Sequence, residues 1–187
     1  FQEVDVVGVT QPISKWNYQI RRAEDIPWAV ARAFYIARSG RPGPVVLDFA
    51  KNAQTAMIEY APQTVDFIRS YNPVPETQPG SIEMAAELIN QSVKPLMLVG
   101  QGVELAGARQ ELLALCEKAQ IPFGQTMLGL SAAPTGHPLN MGMLGMHGNL
   151  APNVMTNQCD LLIAVGMRFD DRVTGDLHTY AKQAKVI

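Results

Sequence analysis

Two runs of the sequence gather residue types suited to holding a cofactor. One is Gly142-Met143-Leu144-Gly145-Met146-His147-Gly148; the other is Gly166-Met167-Arg168-Phe169-Asp170-Asp171-Arg172-Val173-Thr174-Gly175. Glycines let a ligand approach the backbone closely, methionines offer polarizable surface to an aromatic ring, and arginine presents a planar fork that matches phosphate. Asp170 and Asp171 stand where carboxylates orient such an arginine or accept from ribose hydroxyls. The combination suits a long, phosphate-bearing aromatic cofactor. Each part also has a plainer reading. His147 fits a structural hydrogen-bonding role as well as a cofactor contact, and residues 168–172 also describe a solvated loop that pairs its own charges. Residues 129–148 read either as a loop packed on its own domain or as a working one; their length favours work.

The surrounding pattern shows what must position these runs. Ile26, Val30, Phe34 and Ala37, spaced by four, four and three, predict one buried face of a helix over residues 24–38. Glu24 and Asp25 suit its N-terminal dipole, Pro27 is tolerated in the first turn, and Gly40 ends it. Pro44-Val45-Val46-Leu47-Asp48-Phe49 reads as a short, largely buried strand. Beyond Lys51 the pattern weakens, and Pro62, Pro73, Pro75 and Pro79 mark residues 61–80 as an interdomain linker. Ser81 is predicted to N-cap a helix ending near Ser92, followed by a strand over 95–99, a helix over 107–119 and a short strand over 122–125. After the long loop come a strand over 160–165 and, at 185–187, another just beginning. Alternating strands and helices imply an α/β fold with a doubly wound parallel sheet over residues 81–187, truncated on its C-terminal side. Residues 1–60 are too few for a core of their own and read as the closing part of a preceding α/β domain.

In open parallel sheets, ligands bind beyond the carboxyl ends of the strands. Three predicted strands end in suitable material: 45–49 runs into Lys51, 96–99 into Gly100-Gln101-Gly102, and 161–165 into Gly166 and Arg168. Leu105 stands where a full G-x-G-x-x-G would need its third glycine, so Gly100 and Gly102 read as a nucleotide turn or as an ordinary strand-to-helix turn. Lys51 is either an exposed linker lysine or a cation held at a strand end. The sequence contains no Ser/His/Asp arrangement, metal-ligand cluster or P-loop.

The 187 residues are 47% hydrophobic and 17% charged, the profile of a globular protein of one or two domains. A formal net charge of -2 and a pI near 5.9 give no basic footprint for nucleic acid. Apolar runs such as 161–165 fall far short of the roughly 18 residues that span a bilayer, and no signal-peptide pattern is seen. Cys116 and Cys159 form neither a metal-ligand spacing nor a disulfide framework; they read as buried free thiols in a reducing compartment, which points to the cytoplasm. The sequence opens at Phe1 and stops within patterned sequence, as expected of an internal fragment.

Residues 142–148 and 166–175, together with Ser39-Gly40-Arg41-Pro42-Gly43-Pro44-Val45 and the opening Phe1-Gln2-Glu3, resemble the catalytic chains of the acetohydroxyacid synthase family, also called acetolactate synthases. The resemblance extends over essentially the whole sequence. It implies a three-domain enzyme using thiamine diphosphate, magnesium (Mg2+) and an FAD with no net redox role. Such an enzyme decarboxylates pyruvate and joins the hydroxyethyl carbanion to a second 2-ketoacid, giving acetolactate or acetohydroxybutyrate for branched-chain amino acid synthesis. Residues 1–60 would close the thiamine-pyrimidine domain and residues 81–187 would form most of the central FAD-binding domain.

Carried over by position, the resemblance makes Gln2 the active-site glutamine near the thiamine ring, with Phe1 beside it, and Lys51 the lysine of the substrate channel. Arg41, Gly100, Gly102, Thr126, Met127, Met146, His147, Gly148, Gly166 and Arg168 become flavin contacts, and Asp171 and Arg172 lie at the mouth of the substrate channel. Gln101 replaces a glycine often found between Gly100 and Gly102. The family also implies a homodimer or tetramer and a regulatory small subunit, in the cytoplasm. Two alternatives stand beside it: another thiamine diphosphate-dependent oxidase or decarboxylase, or a non-catalytic nucleotide-binding module.

In this family's chemistry thiamine performs the carbon–carbon steps, and the protein supplies orientation and electrostatics. The glutamate that activates thiamine is expected upstream of Phe1, and the diphosphate and magnesium motif beyond Ile187. The 187-residue chain alone is therefore expected to form no acetolactate when given pyruvate and all three cofactors; turnover by the purified piece would refute this.

Overall fold

The computed structural model describes residues 3–187, so the expectations for Phe1 and Gln2 lie outside the described residues. The chain divides into two compact units, the first reaching Glu76 and the second running from Thr77 to Ile187.

The first unit contains, in order, α1 (Val6–Thr10), β1 (Trp16–Ile20), α2 (Ile26–Arg38), β2 (Val45–Phe49) and α3 (Lys51–Thr55). β1 and β2 pair in parallel, with Trp16 opposite Val45 and Ile20 opposite Phe49. The strand β1 was not among the sequence expectations, although Trp16, Tyr18 and Ile20 alternate with polar residues at the period of a strand. Trp16 and Tyr18 therefore share a face, stack at 5.6 Å, and meet the edge of Trp28 from α2. The Arg32 guanidinium lies over the Trp16 and Trp28 rings at 5.3 and 5.4 Å. Such cation–aromatic contacts steady a half-buried guanidinium without a carboxylate.

The buried face of α2 corrects the expectation. Ala29, Ala33 and Ile36 are buried, whereas Phe34 is 64% exposed. Small side chains at 29 and 33 bring the helix close to the strands, and that choice rotates Phe34 outward. Pro27 occupies the first turn as expected. At the other end, Lys15 Nζ donates to the carbonyl oxygens of Ile36 (2.5 Å) and Ser39 (2.7 Å), placing a cation on the negative end of the helix dipole. Lys15 also reaches Tyr71 Oη at 3.0 Å and holds that hydroxyl below its ordinary pKa. Tyr71 in turn donates to the Ser39 carbonyl, so part of the proline-rich stretch is fastened to the first unit.

The second unit contains α4 (Ser81–Gln91), β3 (Pro95–Val99), α5 (Gln101–Leu105), α6 (Arg109–Ala119), β4 (Phe123–Gln125), β5 (Asn140–Met143), α7 (Leu150–Thr156), β6 (Leu161–Val165), α8 (Asp171–Thr174) and β7 (Lys185–Val186). Five parallel strands form one sheet in the order β5-β4-β3-β6-β7. Four elements here, α5, β5, α7 and α8, were not foreseen; residues 129–148 are thus interrupted by a strand. Ser81 is the first helical residue and not the cap, which is Gly80; the Ser81 hydroxyl donates backward to the Gln78 carbonyl at 2.7 Å.

The central strand β3 is buried on both faces, as a parallel strand covered on two sides requires. Met97 and Val99 pack with Leu112, Cys116 and Phe123, while Leu96 and Leu98 pack with Leu144, Cys159 and Leu162. Both thiols are buried, and burial pushes each up to about 11. They are spent on packing and hold no thiolate at neutral pH. Among the described residues, no helix is long and apolar enough to cross a membrane.

One carboxylate closes the amino edge of the sheet. Asp160, just before β6, accepts from the Ser92 hydroxyl and from the backbone N–H groups of Val93 (2.7 Å) and Lys94 (3.0 Å), just before β3. These bonds, the Ser92 hydroxyl foremost, hold the Asp160 carboxyl below its ordinary range. A depressed carboxyl stabilises the fold above its unfolded value of roughly 3.9, and the contribution is lost as pH falls through the lower folded value. Asp160→Asn is expected to lower the melting temperature at pH 7, with the gap to wild type shrinking below about pH 4. A pH-independent gap in a melting series would rule this out.

Candidate cofactor site

The strand order places a topological switch point between β3 and β6. From β3 the chain proceeds to β4 and β5 on one side, then returns to β6 and β7 on the other. β3 and β6 pair along their full length, Val99 opposite Val165, so their carboxyl ends finish together. Helices and loops leave such a point in opposite directions and open a crevice there.

Gly100, Gly102 and Gly166 form a packed floor at that point, Gly100 buried and Gly166 exposed. Gly100 N donates to Val165 O at 2.9 Å and Gly102 N to Gly166 O at 2.8 Å. A Cβ on Gly102 would lie 2.5 Å from Gly166 Cα, and one on Gly100 would lie 2.6 Å from Met167 Cα. Gly166 has φ +61, and a Cβ there would lie 2.6 Å from Val103 N. The glycines of the Gly-x-Gly turn therefore serve the close packing of two strand ends, the ordinary turn reading.

One wall comes from the ends of β4 and β5. The buried Gln125 side chain donates to Gly129 O (2.9 Å) and accepts from Asn140 Nδ2 (3.0 Å), shaping the turn that carries Thr126 and Met127. Thr126 N donates to Val99 O at 2.8 Å, and Met127 is 64% exposed. After β5, Leu144 N returns to Gln125 O at 2.9 Å. Met146 N then reaches Arg172 O at 2.8 Å, so the loop links the β4 side to the segment following β6. Met146 is 60% exposed, His147 is exposed and Gly148 is partly covered.

The other wall is the segment after β6. Arg168 Nε lies 3.3 Å from Asp170 Oδ2 with its side chain 75% exposed. Exposed pairs of this kind are weak, so the guanidinium remains available to an incoming anion. The Asp170 carboxylate also caps α8, accepting from Arg172 N at 3.1 Å. Asp171 and Arg172 open α8 and are exposed, with Arg172 Nη1 3.9 Å from Met146 Sδ.

Gly100, Gly102, Thr126, Met127, Met146, His147, Gly148, Gly166, Arg168, Asp171 and Arg172 are thus all delivered to the carboxyl edge of one sheet. Arg41 and Lys51 belong to the first unit and lie past opposite ends of β2, Arg41 in the turn before it and Lys51 opening α3; both are exposed. The amides Gln125, Asn140, Asn149 and Asn153 were not singled out in the sequence. Four amides around a glycine-rich loop, two of them one helical turn apart, were the available signal.

Residues 82–187 match the model of the central domain of thiamine pyrophosphate enzymes, and the chain belongs to that family. It is 44% identical over 188 residues to the acetolactate synthase large subunit of Corynebacterium glutamicum, covering 100% of this chain and 30% of that protein. Against the acetolactate synthase isozyme 1 large subunit of Escherichia coli the identity is 43% over 187 residues, covering 100% and 33%. The chain accordingly spans about a third of the length of these curated relatives. A solved structure from Mycobacterium smegmatis, described as a thiamin diphosphate-dependent enzyme, superposes with a TM-score of 0.73 at 25% identity, over 97% of this chain and 35% of its own.

The glycine floor yields a stability prediction. Gly102→Ala, which forces backbone apart, is expected to cost about 1–3 kcal/mol in urea unfolding. Gly107→Ala, where a Cβ meets open space and only the φ of +68 opposes it, is expected to cost about 1–2 kcal/mol. Comparable stability of the Gly102 variant and wild type would contradict the close approach.

Proposed function

We propose that this chain is the portion of an acetolactate synthase large subunit that carries the flavin side of the cofactor assembly. In this reading residues 1–60 close the thiamine-pyrimidine domain, 61–80 connect, and 81–187 form the greater part of the FAD-binding domain. The observation that carries it is the likeness to two acetolactate synthase large subunits along the full chain, at 44% and 43% identity.

The residues at the carboxyl edge fit a flavin dinucleotide. Gly100, Gly102 and Gly166 set the packed turn from which the loops diverge, and Thr126, Met127, Met146, His147 and Gly148 offer an apolar and polarizable wall suited to a flat ring. In this reading Arg168, paired with Asp170, would meet the pyrophosphate, and Arg41 would be a further flavin contact. The bound flavin would serve as a structural wall. Lys51, Asp171 and Arg172 are assigned to the substrate channel, where their charges select and orient 2-ketoacid carboxylates. Gln2, with Phe1, is assigned to the thiamine ring. Thiamine diphosphate with Mg2+ supplies the carbanion chemistry, its activating and diphosphate-binding groups lying in other parts of the protein. Homo-oligomerisation, a regulatory small subunit and a cytoplasmic location belong to the same proposal.

Acetolactate production from pyruvate by the intact protein, measured before and after rigorous removal of FAD, tests the function. Flavin-dependent acetolactate is the expected result; acetate or acetaldehyde in its place assigns the chain to another thiamine enzyme. Arg168→Ala is expected to weaken FAD about tenfold, the scale of one charge-assisted bond, while leaving the melting temperature of the flavin-free protein unchanged. Unaltered flavin affinity would remove Arg168 from the site.

A further inference from the structure

The peptide at Gly145 is gripped from two sides. Gly145 N donates to Asn153 Oδ1 at 2.8 Å and Asn153 Nδ2 donates to Gly145 O at 2.9 Å, a paired amide-to-peptide contact from the middle of α7. On its other side the loop meets α8: Met146 N donates to Arg172 O, and a Cβ on Gly145 would lie 2.7 Å from that same oxygen. Asn149 completes the hold at the start of the loop, its Oδ1 accepting from Met143 N at 2.9 Å and its own N–H donating to Met143 O at 2.6 Å. Gly145 has φ +96, a conformation open to glycine at little cost and one that a hydrogen-bonded frame must maintain. The next residues in the chain are the exposed Met146 and His147.

We propose that Asn153 is a positioning residue: by holding the Gly145 peptide it fixes Met146, His147 and Gly148 against α8 in the cofactor-ready arrangement before any ligand binds. The inference rests on the flavin reading above for the identity of the ligand. Its physical content is independent of that reading. Removing the amide leaves the Gly145 N–H without a partner and its carbonyl with the Gly148 N–H alone (2.9 Å), and it unfastens the loop from α7. A ligand that contacts the loop must then order it on binding, and affinity falls accordingly.

The test uses the intact protein with Asn153→Leu, which is similar in size but lacks both bonds, and Asn153→Asp, which can still accept from Gly145 N–H but cannot donate to its carbonyl. Asp160→Asn serves as a control that loosens the opposite edge of the sheet. Two measurements are made: amide hydrogen exchange of peptides covering residues 143–148 in the flavin-free protein, and FAD affinity with the visible circular dichroism of the bound flavin. The proposal expects faster exchange confined to that loop and FAD weakened at least about tenfold by Leu and less by Asp, on the scale of one or two lost buried bonds. The control should leave flavin affinity and dichroism unchanged despite its lower melting temperature. Unchanged loop exchange in Asn153→Leu overturns the clamp, and flavin affinity that follows melting temperature equally in all three variants overturns the positioning role. Should wild type take up no flavin, the flavin reading falls and the exchange result alone decides the clamp; a Leu variant that fails to fold leaves the decision to Asp, whose lost bond to the Gly145 carbonyl must still speed exchange of the amides at 146–148.

Discussion

The second unit depends on one close approach, the meeting of the Gly100–Gly102 and Gly166 backbones where β3 and β6 end. Two parallel strands can finish side by side and still send their chains in opposite directions only if nothing projects between them at that point. A single Cβ at Gly102 would sit 2.5 Å from its neighbour's Cα. Because that space is kept clear, α5 can leave toward the β4 side and Arg168 can leave toward α8. The same geometry brings the diverging loops, and whatever they carry, to either side of a floor of packed peptide groups. The glycines that satisfy packing thus also set where the loops on either side diverge.

Around this floor the loops are held by amides more than by charges. Gln125 and Asn140 shape the turn after β4, Asn149 and Asn153 hold the segment after β5, and the Met146 to Arg172 peptide bond carries that segment across to α8. The charged groups Arg168, Asp171 and Arg172 remain exposed. Neutral amides satisfy buried backbone at little desolvation cost, whereas buried ions would need partners. The division leaves Arg168 and Arg172 exposed beside loops that amides hold.

The parallel α/β character and the strands at 45–49, 95–99, 123–125 and 161–165 were legible in the sequence, because buried parallel strands are apolar runs that need little context. The convergence of Gly100, Gly102, Gly166 and Arg168 was legible for the same reason: each follows a strand whose end was already marked. β5 was hidden by its composition, since Asn-Met-Gly-Met neither alternates cleanly nor carries a β-branched residue. α7 begins with a turn containing Pro152 and α5 is five residues long, too short for periodicity to register. The orientation of α2 was misread because a large apolar residue, Phe34, outweighed two alanines in the pattern, whereas close packing selected the alanines. The amide network was invisible because its geometry exists only after the loops have folded.

Asp160 gives the sheet an asymmetry with an evolutionary meaning. Its carboxylate ties the starts of β3 and β6 together at the edge opposite the crevice, using groups that no ligand at the carboxyl edge would touch. A scaffold fastened at one rim can exchange residues at the other without losing its registration. Descendants of such a domain can vary the loops at the carboxyl edge while the strand order persists.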